Sequence, residues 1–303
     1  MKVSYFPGCT LNTTGKGFDN AVRASAATVG LDLVELPDWN CCGATFPLII
    51  DNMLELAAPA HVLVAARDHA QANPDDLGQQ GIVTTACTTC YNVLKRTNNF
   101  VREHPEERER IEAFIEAEYA GEVEVKDILH LLRDDVGFEA VGERVQNPLR
   151  DLKVAAYYGC MVLRPPDEVA YDDPDHPTSL DDLMAALGAA PVDYPHKNEC
   201  CGAYLAVKEP AVTREMVYTI LHSAQAAGAE AVVTNCPLCQ FNLDKQQAEI
   251  RKSRANYHPI PVFYFSQLMG LALGLDAGDY GWERHYIAPD AVLERYAGNG
   301  AGA

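Results

Sequence analysis

Basic residues are scarce in this chain. Its 303 residues include 24 Lys and Arg against 43 Asp and Glu, a formal net charge of −19. A phosphate backbone requires a basic surface, so the balance argues against nucleic acid as a partner. The balance favours solubility and basic protein partners, and it says nothing about fold. Long apolar runs are missing as well. Without a run of about 18 apolar residues no membrane span is expected. The opening residues, Met1 to Cys9, lack the extended apolar region of a signal peptide, which points to a cytoplasmic location. A phosphate loop is absent too: Gly8 to Gly17 ends in Gly-Lys-Gly, but no Ser or Thr follows the lysine.

Ten cysteines stand out against these absences, in two sets of five with the same order. The first set is Cys9, then Cys41-Cys42-Gly43, then Cys87-Thr88-Thr89-Cys90. The second is Cys160, then Cys200-Cys201-Gly202, then Cys236-Pro237-Leu238-Cys239. Each half therefore reads C…CCG…CxxC, an internal duplication. The length suits two domains of about 150 residues, divided here as 1–148 and 149–303. Arg144 to Lys153 is the expected link, and Ala297 to Ala303 a frayed Gly/Ala tail.

The halves align beyond their cysteines. Val3 to Phe6 leads to Cys9, and Val154 to Tyr158 leads to Cys160; both read as short buried strands. Leu31 to Leu36 and Val192 to Tyr194 precede the two CCG elements. Ile82 to Thr85 and Ala231 to Thr234 lead into the two CxxC elements. Helical patterns run over Leu54 to Ala70 and Val212 to Ala227, then over Tyr91 to Val101 and Phe241 to Ser253. Val125 to Leu132 matches Val262 to Met269. This alternation predicts an α/β fold of two tandem modules, each a small, mostly parallel sheet with flanking helices. The spacings differ: 31 residues separate Cys9 from Cys41, against 39 between Cys160 and Cys200. Asn98 to Glu118 is charged and helical, and reads as an insertion in the first half.

Five thiols per half is one more than a zinc ion takes. Soft thiolates in that number suit an iron–sulfur cluster; a zinc site and a disulfide framework are the alternatives. A CxxC at a strand-to-helix junction puts both thiols near unpaired N–H groups and a positive dipole end, which favours thiolate. Adjacent cysteines reach one site only in an irregular turn, for which Gly43 and Gly202 supply backbone freedom or close approach. Asn40 and Asn198 precede the CCG elements and are candidates to hydrogen-bond cluster sulfur. His130 sits in an apolar run and reads as structural. The segment Asp167 to Asp182 carries seven carboxylates and reads as a solvated connection or a partner surface.

The doubled motif resembles the CCG-domain iron–sulfur family. The whole chain is similar to its heterodisulfide reductase B-type branch, most closely between Cys160 and Gly202. That stretch includes Arg164-Pro165-Pro166, Asp172-Asp173-Pro174, Pro177 to Leu180, and Val192 to Pro195 running on to Glu199-Cys200-Cys201-Gly202-Ala203. The resemblance implies two noncubane [4Fe-4S] clusters, one per module, each held by its five cysteines, with a mixed disulfide of coenzyme M and coenzyme B reduced between them. A disulfide takes up two electrons and clusters pass them singly, so two flanking sites match the stoichiometry. It also implies a C subunit with cubane clusters as electron source. Behind it stands a flavin-bearing A subunit, with a hydrogenase or formate dehydrogenase further upstream. CCG modules occur as well in electron-transfer subunits of thiol-driven fumarate reductases, succinate dehydrogenases and glycolate or lactate oxidases. Anionic coenzymes need cations, and Arg164, Lys197 and Lys208 are the candidate anchors. His196 is a candidate proton donor to a leaving thiolate.

Overall fold

The computed structural model describes residues 1–44, 52–78 and 81–296; the expected frayed tail, 297–303, lies outside them. Two four-stranded sheets repeat one plan. The first holds β1 (Lys2–Tyr5), β2 (Asp32–Glu35), β3 (Ile82–Thr85) and β4 (Glu124–Asp127), in the order β2-β1-β3-β4. The second holds β5 (Lys153–Ala156), β6 (Ala190–Pro191), β7 (Ala231–Thr234) and β8 (Val262–Tyr264), in the order β6-β5-β7-β8. The pairing is parallel throughout. Parallel strands need covered faces, and β7 is buried along its whole length.

Helices supply the crossovers: α1 (Lys16–Thr28), α2 (Ala57–Ala72), α3 (Thr88–Glu103) and α4 (Pro105–Ile115) in the first half. In the second, α5 (Ser179–Ala186), α6 (Pro210–Ala226), α7 (Pro237–Ser253) and α8 (Phe265–Ala272) follow the same course. The expected Asn98–Glu118 insertion is the end of α3 plus α4, started by Pro105 at its first position. The strand before the second CCG is only Ala190–Pro191, not the expected Val192–Tyr194. Pro191 and Pro195 bracket that stretch, and proline cannot donate to a ladder.

The segments 125–132 and 262–269 each break from strand into helix at the same place. Asp127 caps the first helix by accepting from Leu129 N (2.9 Å), and Gln267 Oε1 accepts from Tyr264 N (2.9 Å) at the second. His130 closes the first cap and is buried, which pushes its imidazole down to about 4. The expected structural role of His130 is the one it has in the fold.

Each half lends a helix that follows its last strand to the other. Helix α8 packs on α1, with Ser266 Oγ donating to Phe18 O (3.4 Å). The short helix Phe138–Gly142 packs on α5, close enough that a Cβ on Gly142 would lie 3.2 Å from Ala186 O. One apolar core therefore runs through both halves, from Val3, Tyr5 and Val83 to Val154, Ala156 and Phe263. A second, smaller core lies on the outer face of the second sheet, around Val232, Leu221 and Leu243.

Candidate metal centre

The carboxyl ends of the central strands carry the cysteines. β3 and β7 end two residues before Cys87 and Cys236, and each of these is the N-cap of the following helix. Thr85 Oγ1 and Thr234 Oγ1 accept from Cys87 N and Cys236 N, both at 3.3 Å, and fix each elbow. Cys90 and Cys239 lie in the first turn, where free N–H groups and the helix dipole favour thiolate. Cys9 and Cys160 were expected at strand ends. They stand four residues past them, Cys9 in the one-turn helix Gly8–Leu11 and Cys160 in a turn.

The sulfurs assemble as the motifs require. Cys41 Sγ lies 3.7 Å from Cys9 Sγ, and Cys42 Sγ 3.5 Å from Cys90 Sγ; Cys87 is near enough to Cys90 to push that thiol up. In the second half Cys201 Sγ lies 3.5 Å from Cys239 Sγ, and Cys160 with Cys200, and Cys236 with Cys239, are near enough to shift one another's thiols. Cys9, Cys41 and Cys200 are exposed and the CxxC thiols buried, so each set has a dry floor and a solvent-facing edge. Gly43 and Gly202 take positive φ, 83° and 75°.

Two further residues escaped the reading of the sequence: Gly8 and Gly159, each just before the first cysteine of its set. They adopt φ of 72° and 67°. A Cβ there would sit 2.9 Å from Cys90 Sγ and 3.2 Å from Cys239 Sγ. The signal was the repeated dipeptide Gly-Cys.

The thiols share protons within each set. Cys42 is held low by hydrogen bonding from Cys41 and then Cys90, and Cys41 is correspondingly pushed up. Cys160 is raised by Cys200, which it holds down in turn. Cys236 falls to about 7, chiefly through Cys239. Thr88 of the first half faces Cys236 and lowers it further, without completing a hydrogen bond. The hydroxyls of Thr88 and Thr89, between the two thiols of the first CxxC, are buried and unpartnered.

This donor set fits an iron–sulfur group. It is all thiol, it offers five thiols per set, and the buried hydroxyls of Thr88 and Thr89 have no partner within the protein, so they would be free to donate to such a group.

The expected polar helpers fare differently. Asn40 Nδ2 donates to Cys41 O (2.8 Å) and Ala58 O (3.0 Å), and Asn198 Nδ2 to Pro174 O (2.9 Å). Both serve backbone carbonyls, not sulfur: Asn40 ties the CCG turn to α2, and Asn198 holds the acidic segment. Lys197 is held by Asp193 (3.0 Å) and Asp181 (3.6 Å), so its charge is already matched. Arg164 is half exposed, with Asp175 at 3.8 Å. His196 Nδ1 pairs with Glu199 Oε1 (2.8 Å). Lys208 is exposed, next to the exposed Val207.

The acidic segment 167–182 is docked through its backbone and Glu168, while Asp167, Asp173, Asp175 and Asp182 stay exposed. Arg96 Nε donates to Glu168 Oε2 (2.8 Å), and Asn99 Nδ2 to Glu168 O (3.0 Å). Tyr91 Oη donates to Val169 O (2.5 Å), and Asp172 Oδ2 accepts from Thr178 N and Ser179 N.

Comparison with known proteins agrees with this geometry. A family model described as a cysteine-rich domain, CCG, matches residues 3–95 and 154–244. The chain is 32% identical over 287 residues to the membrane anchor of the 8-methylmenaquinol:fumarate reductase of Wolinella succinogenes, covering 94% of this chain and 96% of that one. It is 30% identical over 292 residues to the B-type component of the ferredoxin/F(420)H(2)-dependent CoB-CoM heterodisulfide reductase of Methanosarcina acetivorans, covering 94% of each. Among solved structures, a hypothetical protein from Helicobacter pylori superposes with a TM-score of 0.70 at 12% identity. That match covers 95% of this chain, which spans about half (52%) of the other, and it speaks to fold alone. No helix among the described residues is long and apolar enough to cross a membrane. The chain belongs to the CCG family of cysteine-rich domain proteins, with one copy of the domain in each half.

Proposed function

We propose that this chain is the disulfide-reducing component of a heterodisulfide reductase-type complex, binding two noncubane [4Fe-4S] clusters. Cys9, Cys41, Cys42, Cys87 and Cys90 would hold one, and Cys160, Cys200, Cys201, Cys236 and Cys239 the other. Gly43 and Gly202 let the adjacent thiols of each set turn toward one centre. The observation that carries the reading is the duplication itself: two five-thiol groups in one chain, with Thr88 of one module facing Cys236 of the other. Clusters so held supply one-electron carriers, and a disulfide consumes two electrons. The chain's own residues keep the CxxC floors dry and leave Cys9, Cys41 and Cys200 open to a small molecule.

The substrate would be the mixed disulfide CoM-S-S-CoB, reduced to coenzyme M and coenzyme B in the cytoplasm. Relatives named as B-type components of CoB-CoM heterodisulfide reductases support this. A C subunit with cubane clusters and, behind it, a flavin-bearing A subunit would deliver the electrons. Exposed Lys208 is the best-placed free anchor for an anionic coenzyme. Arg164, already facing Asp175, is a weaker anchor, and His196, paired with Glu199, is the candidate proton donor to a leaving thiolate.

A second reading, an electron-transfer component of fumarate reductase type, is favoured by one observation. Lys197, close to the second set, is neutralised by two carboxylates of its own chain, which leaves few cations for a polyanionic coenzyme.

The test is anaerobic purification with iron and sulfide analysis, then turnover of CoM-S-S-CoB with a reduced viologen. About eight irons per chain with disulfide-dependent viologen oxidation supports the reading. Full iron with no turnover in the reconstituted complex transfers it to the second.

A further inference from the structure

Helix α3 begins inside the first CxxC, yet one of its faces belongs to the boundary between the halves. Thr88, Asn92, Arg96 and Asn99 recur at helical spacing along that face. Three of them are bonded to the second half. Asn92 Nδ2 donates to Met161 O (2.6 Å) and Arg164 O (2.7 Å), Arg96 Nε to Glu168 Oε2 (2.8 Å), and Asn99 Nδ2 to Glu168 O (3.0 Å). The fourth, Thr88, stands one turn nearer the start of the helix, beside the carboxyl end of β7. There it meets Cys236 closely enough to hold that thiol down. A second contact pins the same place. Asn235, the residue before Cys236, donates from Nδ2 to Asp127 Oδ1 at the end of β4 (3.5 Å).

The Thr88 hydroxyl is left without other use. The residue is 0% exposed, and Oγ1 has no hydrogen-bond partner within the protein. At the first helical position no preceding helical turn offers it a carbonyl. Buried hydroxyls almost always find an acceptor, and the sulfur this one faces is that of Cys236.

The arrangement is not reciprocal. The matching residue of the second CxxC is Pro237, which has no hydroxyl, and Leu238 follows it. Both line an open cleft between the halves instead of a packed boundary. Pro237 can return no such bond to Cys87. Two thiol sets with the same order thus differ by one donor, and the other module carries it.

A hydrogen bond to a ligating thiolate draws charge off the sulfur. It therefore favours the more negative, reduced state of the centre that the thiolate holds, and potentials of such centres follow the hydrogen bonds to their sulfurs. We propose that Thr88 of the first module donates to the Cys236 sulfur of the second, and so raises the reduction potential of the second centre with no matching effect on the first. This rests on the reading that each set holds an iron–sulfur centre. Thr88 acts through Cys236, as a positioning residue, and makes the two centres unequal carriers.

Redox titration of the anaerobic full chain, followed by EPR, tests it. Cys41→Ser with Cys42→Ser leaves only the second set complete, and Cys200→Ser with Cys201→Ser only the first. Adding Thr88→Val to the former should lower the midpoint potential by about 59 mV, a tenfold change in a one-electron equilibrium and one hydrogen bond's worth. Iron content should not change, and Thr88→Ser should keep the original potential. The same valine in the chain with only the first set should move nothing. In the chain with both sets, half of the reducible signal should shift, and that measurement decides if a paired variant does not fold. An unmoved potential at full iron, an equal shift at both centres, or a serine that behaves as valine does would each overturn this proposal alone. An unaltered chain that binds no iron would overturn the cluster reading itself, and this inference with it.

Discussion

Phe18 of α1 and Tyr264 at the end of β8 stack face to face across the boundary between the halves, with centroids 4.1 Å apart and planes within 5°. Phe18 also meets Phe265 edge to face at 5.8 Å, and all three are buried. This is where α8 of the second half grips the first helix of the other. Tyr264 is near enough to Cys87 and Cys236 that their charge raises its hydroxyl's pKa, after burial itself. The contact that joins the halves thus also spaces the two thiol sets.

Phe18→Ala should therefore act on both. Removing a fully buried phenyl costs about 3–5 kcal/mol. The loss falls at a boundary, so urea unfolding should become less cooperative as well as shifting to lower denaturant. A parallel shift with no loss of cooperativity would mean that the shared core, not this stack, couples the halves.

Gly8 and Gly159 give a graded pair. An alanine at either must adopt positive φ, a strain of about 1 kcal/mol or more. Gly8→Ala also forces a Cβ to 2.9 Å from Cys90 Sγ, and Gly159→Ala a Cβ to 3.2 Å from Cys239 Sγ. Iron content per chain should fall in both variants, more in Gly8→Ala. Equal, full iron loading in both would show that the first-cysteine turns yield freely.

How much of the fold is legible in the chain follows from what sequence encodes locally. β3 and β7 can be read to the residue, because each is a β-branched run stopped by a helix-capping cysteine. The parallel order follows from alternation. What stays hidden is reciprocal: the exchange of α8 and the Phe138–Gly142 helix between halves depends on which apolar face meets which, and periodicity does not say. Asn40 and Asn198 mislead because an asparagine before a turn serves backbone or ligand equally well. The acidic segment looks solvated because charge count hides its docking through Arg96 and two backbone carbonyls. Gly8 is readable in principle, since Gly-Cys recurs at Gly159, but a glycine's purpose shows only when a neighbour's distance is known.

Asp244 gives a pH signature. Burial raises its carboxyl from 3.8 to about 6, against the lowering effect of the N–H groups of Tyr286 and Ile287. The folded state therefore holds this proton more tightly than the unfolded chain. Its contribution is fully present below about pH 4 and is lost as pH rises through about 6, at most ~3 kcal/mol. Asp244→Asn cannot titrate, so its melting temperature should gain on the wild type between pH 4 and 7 and run parallel above. A wild type that gains on the variant over that range would reverse the sign and refute the assignment.

The two thiol sets should also be separable by mutation. The first sheet is built from residues 2–127 and the second from 153–264, and no sulfur of one set is bonded to a sulfur of the other among the described contacts. Replacing Cys200 and Cys201 by Ser removes two of five thiols in the second set and leaves Cys9, Cys41, Cys42, Cys87 and Cys90 intact. If each set holds its own cluster, iron should drop from about eight to about four per chain, with sulfide falling in step. The mirror variant, Cys41→Ser with Cys42→Ser, should do the same. Their EPR spectra should sum to that of the unaltered protein, apart from coupling across Thr88 and Cys236. Loss of all iron in either variant would instead mean one shared centre, since independent sites do not empty together while the chain stays folded.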